Sequence, residues 1–325
     1  MKNLQRYVNH KNHEEIIIIV KLSITEMTGT LSVTQIENGL TNYLFKVNDN
    51  NHNKNVLVRI YGEDNILIDR NRELNILESL QKQNYGIKIY NTFINGRIEE
   101  WIDGITCDIE MLYDDKIIEL IAKKLAKFHN ININIDYVKK SDLFDKLQLW
   151  LANVATVVTD NNEIDISKLR LELEWLEKYI KSKNSPIVFA HNDLHSLNIM
   201  VNKKNDNVVD MKLIDMEYSY YNYRAYDIAN FFCTYARSDY YQTINNHPCK
   251  DIKMKFIKSY LDIDDEFDDR VISLYEEVDA FKLLPHLFWC IWGLVKCNHD
   301  NEFDHLKYVK IRLECYYKIK EKLTK

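Results

Sequence analysis

A short stretch in the second half of the chain holds the residues best suited to chemistry. His191, Asp193 and Asn198 are followed a little later by Asp215 and Glu217. Two carboxylates and an amide oxygen suit Mg²⁺, a hard cation that leaves coordination positions for water and nucleotide phosphates. In phosphoryl transfer from ATP, a nearby aspartate accepts or orients the proton of the acceptor hydroxyl. We therefore predict Asp193 as the base and Asn198 and Asp215 as magnesium ligands.

A predicted β-hairpin brings these residues together. The pattern predicts two strands and a polar turn between them, over 199–201, 208–214 and 202–207. Asn198 and Asp215 then meet at the open end, a short loop carries Asp193 to the same place, and Glu217 is a further carboxylate for substrate or support. Taken singly, Asp and Asn between strands usually only close turns. The combination of His-x-Asp, a later Asn, a hairpin and Ile-Asp-x-Glu favours catalysis instead.

The rest of the chain predicts an α+β fold with two lobes. Alternating and β-branched residues predict strands over 31–36, 43–47, 56–61, 87–93 and 97–102, and an amphipathic helix over 69–81. The polar segment 48–55 is expected to be a solvated turn. Helical periodicity dominates afterwards, over 115–129, 142–158, 168–182, 251–261 and 303–323. We predict a small antiparallel-sheet lobe over 1–102 and a larger, mainly helical lobe over 103–325.

The hairpin motif and several distant segments resemble the choline/ethanolamine kinase family. The matching segments are 38–45, 56–62, 72–73, 96–100, 191–198, 214–219, 221–230 and 289–292, so the likeness covers about residues 30 to 320. The resemblance implies a protein-kinase-like fold and direct transfer from ATP to the hydroxyl of choline or ethanolamine, the first step toward the corresponding phospholipids. It also implies a cytoplasmic enzyme that commonly forms a homodimer, and a catalytic loop braced by His191 and Asp227.

The nucleotide is expected to bind without a P-loop, because neither Gly-rich phosphate motif occurs among the seven glycines. Arg59 interrupts an apolar strand, so its guanidinium should leave the core and meet either a phosphate or Glu73. The resemblance adds a phosphate loop, an adenine-binding linker and a contact from His195. The predicted nucleotide residues are Asn38, Gly39, Leu40, Thr41, Asn42, Arg59, Glu73, Glu100, Trp101, Ile102, His195 and Asp215.

The acceptor is expected to lie among aromatic rings and carboxylates, which hold a quaternary ammonium through its charge. Trp289 and Trp292 alone would more often be core packing, but the resemblance makes them walls of a cage. The predicted substrate residues are Asp193, Glu217, Tyr218, Tyr240, Trp289, Trp292 and Tyr308. Thr234 stands where many family members carry glutamate, and His195 where glutamine is common. Choline is favoured, while ethanolamine or dual specificity stays open.

Composition limits the other functions. The net charge of −6 and the pI near 6.0 give no basic field for nucleic acid. The six cysteines form no C-x-x-C pair and no zinc-like spacing with histidine. The apolar run 16–20 is too short for a secretion signal, and stable membrane insertion is not expected. The alternatives are an aminoglycoside-type phosphotransferase, a protein kinase, which the lack of D-F-G disfavours, and a choline- or nucleotide-binding pseudokinase without turnover.

Overall fold

The computed structural model describes residues 3–36, 42–62, 67–133, 139–154, 164–204, 207–235, 247–297 and 303–324. The chain divides into two compact units. The first extends to Gly104 and also takes in Ile133, and the second contains the remainder of the described chain from Ile105 onwards.

The first unit is built on a six-stranded sheet. Its elements are β1 (Asn3–Leu4), α1 (His13–Ser23), β2 (Leu31–Ile36), β3 (Asn42–Asp49), β4 (Lys54–Tyr61), α2 (Arg70–Lys82), β5 (Ile89–Phe93) and β6 (Gly96–Glu100). The strand order is β1-β5-β6-β4-β3-β2. All neighbours are antiparallel except β1 and β5, which run parallel.

Helix α1 was not predicted, although its sequence explains it well. Ile16, Ile19 and Val20 are buried and share one helix face against the sheet residues of the same core. Asn12 caps the helix by accepting the backbone N–H groups of Glu14 and Glu15. The apolar run therefore begins a core helix.

The predicted solvated turn over 48–55 is wrong in part. Strands β3 and β4 continue to Asp49 and from Lys54, so the turn is shorter than expected. Asp49 is fully buried and its carboxylate accepts the backbone N–H groups of Gly29 (3.1 Å) and Asn51 (3.0 Å). These bonds satisfy the carboxylate inside the protein, as a buried acceptor requires.

The second unit is mainly helical, with two small sheets. Its elements are β7 (Ile105–Thr106), α3 (Asp115–His129), α4 (Leu143–Val154), α5 (Ile166–Lys181), β8 (Ile187–Ala190), β9 (Ile199–Lys204), β10 (Asn207–Leu213), β11 (Tyr220–Tyr223), α6 (Arg224–Cys233), α7 (Lys250–Leu261), α8 (Asp269–Phe281), α9 (Leu283–Lys296) and α10 (His305–Thr324). One sheet has the order β10-β9-β7, and the other pairs β11 with β8.

Helix α9 is the central helix of this unit. Every residue from Leu283 to Lys296 is buried, and the helix contacts α4, α6, α8 and α10. By length and composition alone, the stretch Asp269–Lys296 would be apolar enough to cross a membrane, but 89% of its most apolar window is buried inside the protein. A core helix gives the same signal.

Candidate active site

The hairpin β9–β10 brings the predicted metal ligands to the same end. Ile199 pairs with Leu213, and the carbonyl of Asn198 accepts the N–H of Ile214 at 2.9 Å, so Asn198 and Asp215 flank the last rung. Asp215 has a φ of 65°, in the left-handed region that is uncommon for residues other than glycine. Such backbone strain concentrates at functional sites.

Asp193 lies against Asn198. The amide nitrogen of Asn198 donates to the backbone carbonyl of Asp193 at 2.9 Å and to its carboxylate at 3.4 Å. Because the nitrogen makes these bonds, the amide oxygen lies on the other side of the side chain, as a metal ligand requires. The structure thus brings all three predicted residues together.

Electrostatics at this loop favour a bound cation. Burial raises the pKa of Asp193 well above its usual range, and the carboxylates of Asp215, Glu217 and Asp227 raise it further, while Arg312 opposes the shift. A metal ion bound between carboxylates that raise one another's pKa offsets their electrostatic repulsion. The oxygen donors present therefore fit Mg²⁺.

Asp227 organises the loop that carries Asp193. Its carboxylate accepts the backbone N–H groups of His191 (2.7 Å) and Asn192 (2.8 Å), and contacts Nε2 of His129 at 2.9 Å. The ring of His191 donates through Nε2 to the carbonyl of Ile214 at 2.9 Å, which joins the loop to the hairpin. Burial lowers the pKa of His191 and keeps the ring neutral.

Sequence analysis did not identify two of the residues that hold this loop in place. His129 ends helix α3 and contacts Asp227 from far away in the sequence, so no local pattern could reveal it. Asn192 has a φ of 67° and donates through its side chain to the carbonyl of Tyr218 at 2.9 Å. Its oxygen accepts from the side chain of Asn222 at 2.7 Å. Its place between His191 and Asp193 was the available signal.

His195 lies beside the catalytic loop. Its Nε2 is 3.8 Å from the carboxylate of Asp193. Burial lowers the pKa of His195 to about 4. The ring is therefore neutral near pH 7 and can hydrogen-bond to a ligand without adding charge.

The predicted aromatic residues form a continuous group. Ring centroids are 5.7 Å apart for Tyr218 and Trp289, 5.6 Å for Trp289 and Trp292, and 6.1 Å for Trp292 and Tyr308, all with edge-to-face geometry. Nε1 of Trp292 donates to the hydroxyl of Tyr218 at 2.8 Å, and Nε1 of Trp289 donates to Asn230 at 2.7 Å. These bonds fix the ring planes.

Two further rings extend this group. Phe303 contacts Tyr308 (5.7 Å), and His305 contacts Trp292 (5.5 Å). Neither was predicted, because a single Phe or His near the start of a helix carries no distinctive pattern. Tyr240, which was predicted, lies outside the described residues.

Thr234 provides no charge at the position where the resemblance to choline/ethanolamine kinases implies a glutamate. Its hydroxyl is bound to the backbone carbonyls of Asn230 and Phe231, both at 3.1 Å, at the end of helix α6. The buried hydroxyl also contacts the backbone carbonyl of Leu194 at 3.4 Å.

In the first unit, the expected partnership of Arg59 with Glu73 is not the one observed. Arg59 is only 5% exposed, and its Nε donates to Glu99 at 3.2 Å. Glu73 instead contacts Arg70 at 2.9 Å and Arg97 at 2.8 Å. Sequence alone could not choose among these partners, because the choice depends on strand register and helix rotation.

The other predicted nucleotide residues are only partly described. Asn42 accepts from Arg70 at 2.9 Å, while Asn38, Gly39, Leu40 and Thr41 lie outside the described residues. Glu100 ends strand β6, and the ring of Trp101 lies beneath Nζ of Lys46 at 4.4 Å. Ile102 follows in irregular backbone.

In the second unit, the group Cys233, His247 and His286 places possible ligand atoms within 4.8 Å of one another. Nη1 of Arg312 lies 3.4 Å from Nδ1 of His286. Since arginine only donates, Nδ1 accepts and the proton of the neutral ring lies on Nε2. A metal ligand needs that lone pair, so the group is poorly suited to a cation.

Comparison with known proteins decides the family. The family model described as "Choline/ethanolamine kinase" matches residues 33–317. The chain belongs to the choline/ethanolamine kinase family. This kinase is 34% identical over 288 residues to ethanolamine kinase 1 of Mus musculus, covering 83% of this chain and 78% of that protein. It is 32% identical over 309 residues to probable choline kinase 2 of Arabidopsis thaliana, covering 90% and 87%.

The fold comparison agrees with the family. A solved ethanolamine kinase of Plasmodium vivax matches with a TM-score of 0.83 and 31% identity, over 96% of this chain and 90% of that one. The predicted α+β, protein-kinase-like fold is therefore confirmed, with a sheet-based first unit and a helical second unit. Relatives named as choline and as ethanolamine kinases match this kinase about equally well.

Proposed function

We propose that this kinase transfers the γ-phosphoryl group of ATP to the hydroxyl of choline, giving phosphocholine. The observation that carries the proposal is the placement of Asp193, Asn198 and Asp215 at one end of the hairpin, in the same unit as the aromatic group. Glu217 and Tyr218 are adjacent in sequence and link the two groups.

Asp193 is the proposed base. The side chain of Asn198 contacts its carboxylate at 3.4 Å and positions it to accept the proton of a bound hydroxyl. Asn198 and Asp215 would hold Mg²⁺, which when bound neutralises negative charge on the phosphate oxygens. The hydrogen bonds of Asp227 to His191 and Asn192 hold the loop that carries Asp193 in place while the substrate hydroxyl loses its proton.

The nucleotide residues of the first unit complete the proposed reaction. Arg59 would bind phosphate oxygens, together with Asn42 and residues 38–41, and the backbone of residues 100–102 would bind the adenine. His195, neutral near pH 7, would act as a hydrogen-bonding contact. ATP is the proposed donor because the family is one of kinases.

Choline is favoured over ethanolamine because hydrogen-bond acceptors near the aromatic group are already engaged within the protein. The side-chain oxygen of Asn230 and the hydroxyl of Tyr218 already accept the ring N–H groups of Trp289 and Trp292, and the Thr234 hydroxyl is bonded to backbone. The aromatic group therefore offers ring faces more than hydrogen-bond acceptors. A quaternary ammonium, which has no N–H to donate, suits such walls.

The test is turnover of ATP by the purified protein with Mg²⁺, comparing choline, ethanolamine and an aminoglycoside, with Asp193→Asn as the control. We expect choline-dependent turnover that the control loses. Turnover with ethanolamine alone would overturn the choline assignment within the same family. ATP binding without turnover on any acceptor would support the pseudokinase alternative.

Two properties that the resemblance implied stay predictions. Homodimer formation is tested by light scattering of the purified protein, where a mass near twice the chain mass of 38.8 kDa is expected. A cytoplasmic location and a place in phospholipid synthesis are tested in the cell of origin.

A further inference from the structure

The first unit contains a buried network of three arginines and two glutamates. Arg59 (5% exposed), Arg97 (1%), Glu73 (1%) and Glu99 (1%) come from the sheet and helix α2, and Arg70 joins them from the start of that helix. Buried charges are costly unless they are paired and hydrogen-bonded. The partner of each charge therefore decides what the network does.

Glu99 bridges two arginines of neighbouring strands. In the pairing of β4 with β6, Arg59 lies directly opposite Arg97. Like charges that face each other across strands are destabilising. The carboxylate of Glu99 accepts Nε of Arg59 at 3.2 Å and also accepts Nε of Arg97. One carboxylate thus relieves the repulsion and fixes both side chains.

Glu73 is already engaged elsewhere. Nη1 of Arg97 lies 2.8 Å from its Oε1, and Nη1 of Arg70 lies 2.9 Å from its Oε2. Arg97 also contacts the hydroxyl of Tyr61 at 3.4 Å. Arg97 and Glu73 therefore form an ion pair between the sheet and helix α2, while Glu99 contacts Arg59.

We propose that Glu99 is a positioning residue for ATP: it holds the Arg59 guanidinium through Nε and so orients the terminal nitrogens toward phosphate oxygens. The inference rests on the proposed function, in which Arg59 binds phosphate. Arginine recognises phosphate through a planar fork, so the orientation of that plane matters as much as the charge. Glu99 would act through Arg59 and would not contact the nucleotide itself.

A double-mutant cycle tests the proposal. ATP binding is measured by calorimetry without acceptor for the wild type, Glu99→Gln, Arg59→Met and the double variant. Each single change is expected to weaken binding by about tenfold or more, and the double variant should bind within about twofold of Arg59→Met, because coupled residues are non-additive. Additive losses would overturn the proposal, since Glu99 would then act independently of Arg59.

A matched control variant and a repeat of the cycle in a second genetic background separate effects on ATP binding from effects on folding. Glu26→Gln removes a carboxylate from the same unit whose side chain is 72% exposed, and ATP binding should not change. Glu99→Gln leaves Arg59 facing Arg97 without the bridge, so the cycle is repeated in an Arg97→Met background, where that repulsion is absent. The coupling between Glu99 and Arg59 should persist there, and its loss would count against the proposal.

Turnover separates this proposal from the proposed function. In Glu99→Gln, the KM for ATP should rise by about tenfold or more, while the KM for choline stays within about twofold. If the wild type binds ATP and phosphorylates choline but the cycle is additive, only the role of Glu99 fails. If the wild type binds no ATP, both proposals fail.

Discussion

The two units treat their charged side chains in different ways. In the first unit, Arg59, Arg97, Glu73 and Glu99 alternate in sign, and each contacts an opposite charge within 3.2 Å. In the second unit, Asp193 is near three other carboxylates that raise its pKa, with Arg312 as the opposing cation. Alternating charges stabilise and orient one another, whereas gathered charges of one sign form a place for a ligand of the other sign.

The largest expected effect comes from breaking a pair in the first unit. Glu73→Gln removes the charge that joins Arg97 to Arg70, and one partner lost from a buried ion pair typically costs about 3–5 kcal/mol. The free energy of unfolding, measured with urea, should fall by that order. A change of under about 1 kcal/mol would contradict the view that this pair is structural.

The matching change in the second unit should affect turnover instead. Asp193→Asn is expected to lower kcat by at least ~100-fold because the positioned base is removed, while ATP binding persists. Unchanged kcat would exclude Asp193 as the base.

The same variant makes a prediction about pH. The folded-state pKa of Asp193 is raised, so ionising this group costs stability as the pH rises above its unfolded value of about 4. Without metal or nucleotide, Asp193→Asn should therefore gain stability over the wild type as the pH rises above that value, and the difference should vanish in acid. Thermal unfolding of both proteins across the pH range measures this difference in stability. A difference that does not change with pH would contradict a raised pKa of Asp193.

Trp292→Ala tests whether the aromatic group binds the ammonium of choline beside the carboxylates near Asp193. A cation–π wall contributes about 1–2 kcal/mol, so the KM for choline should rise by roughly 5- to 30-fold while the KM for ATP changes little. Trp175→Ala, which alters a tryptophan stacked on Tyr179 away from the aromatic group, is the control. Equal effects of Trp292→Ala on both substrates would indicate core packing.

The smallest effect is expected at Tyr226. Its hydroxyl is fully buried and has no hydrogen-bond partner among the residues that the structure describes. An unsatisfied buried hydroxyl costs free energy, so Tyr226→Phe should leave the unfolding free energy unchanged or raise it by up to about 1 kcal/mol. A decrease in unfolding free energy of more than about 1 kcal/mol would indicate that the hydroxyl has a hydrogen-bond partner.

Local patterns were the easiest to predict. The convergence of Asn198 and Asp215 followed from the hairpin alone, because two strands with a short turn must bring their outer ends together. Helix α3 was expected over the residues it occupies, since its apolar spacing and the Asp114 cap both lie in the sequence.

Contacts between distant segments could not be predicted. The partner of Arg59 depends on which strand residue lies opposite it, and the contact of His129 with Asp227 depends on how α3 packs. The pairing of β8 with β11 and the burial of Asp49 have the same origin. In each case several partners share the required chemistry, and tertiary geometry selects one.

The complete burial of helix α9 limits how this kinase can diversify. Trp289 and Trp292 contact ligand only if the helix that forms the centre of the unit also presents its side chains to the pocket. Under the proposed function, a substitution at either tryptophan would change acceptor preference and core packing at once, and loss of a large buried side chain typically costs several kcal/mol. Under the proposed function, new acceptor preferences are therefore expected first at Phe303, which contacts the aromatic group and is only partly buried.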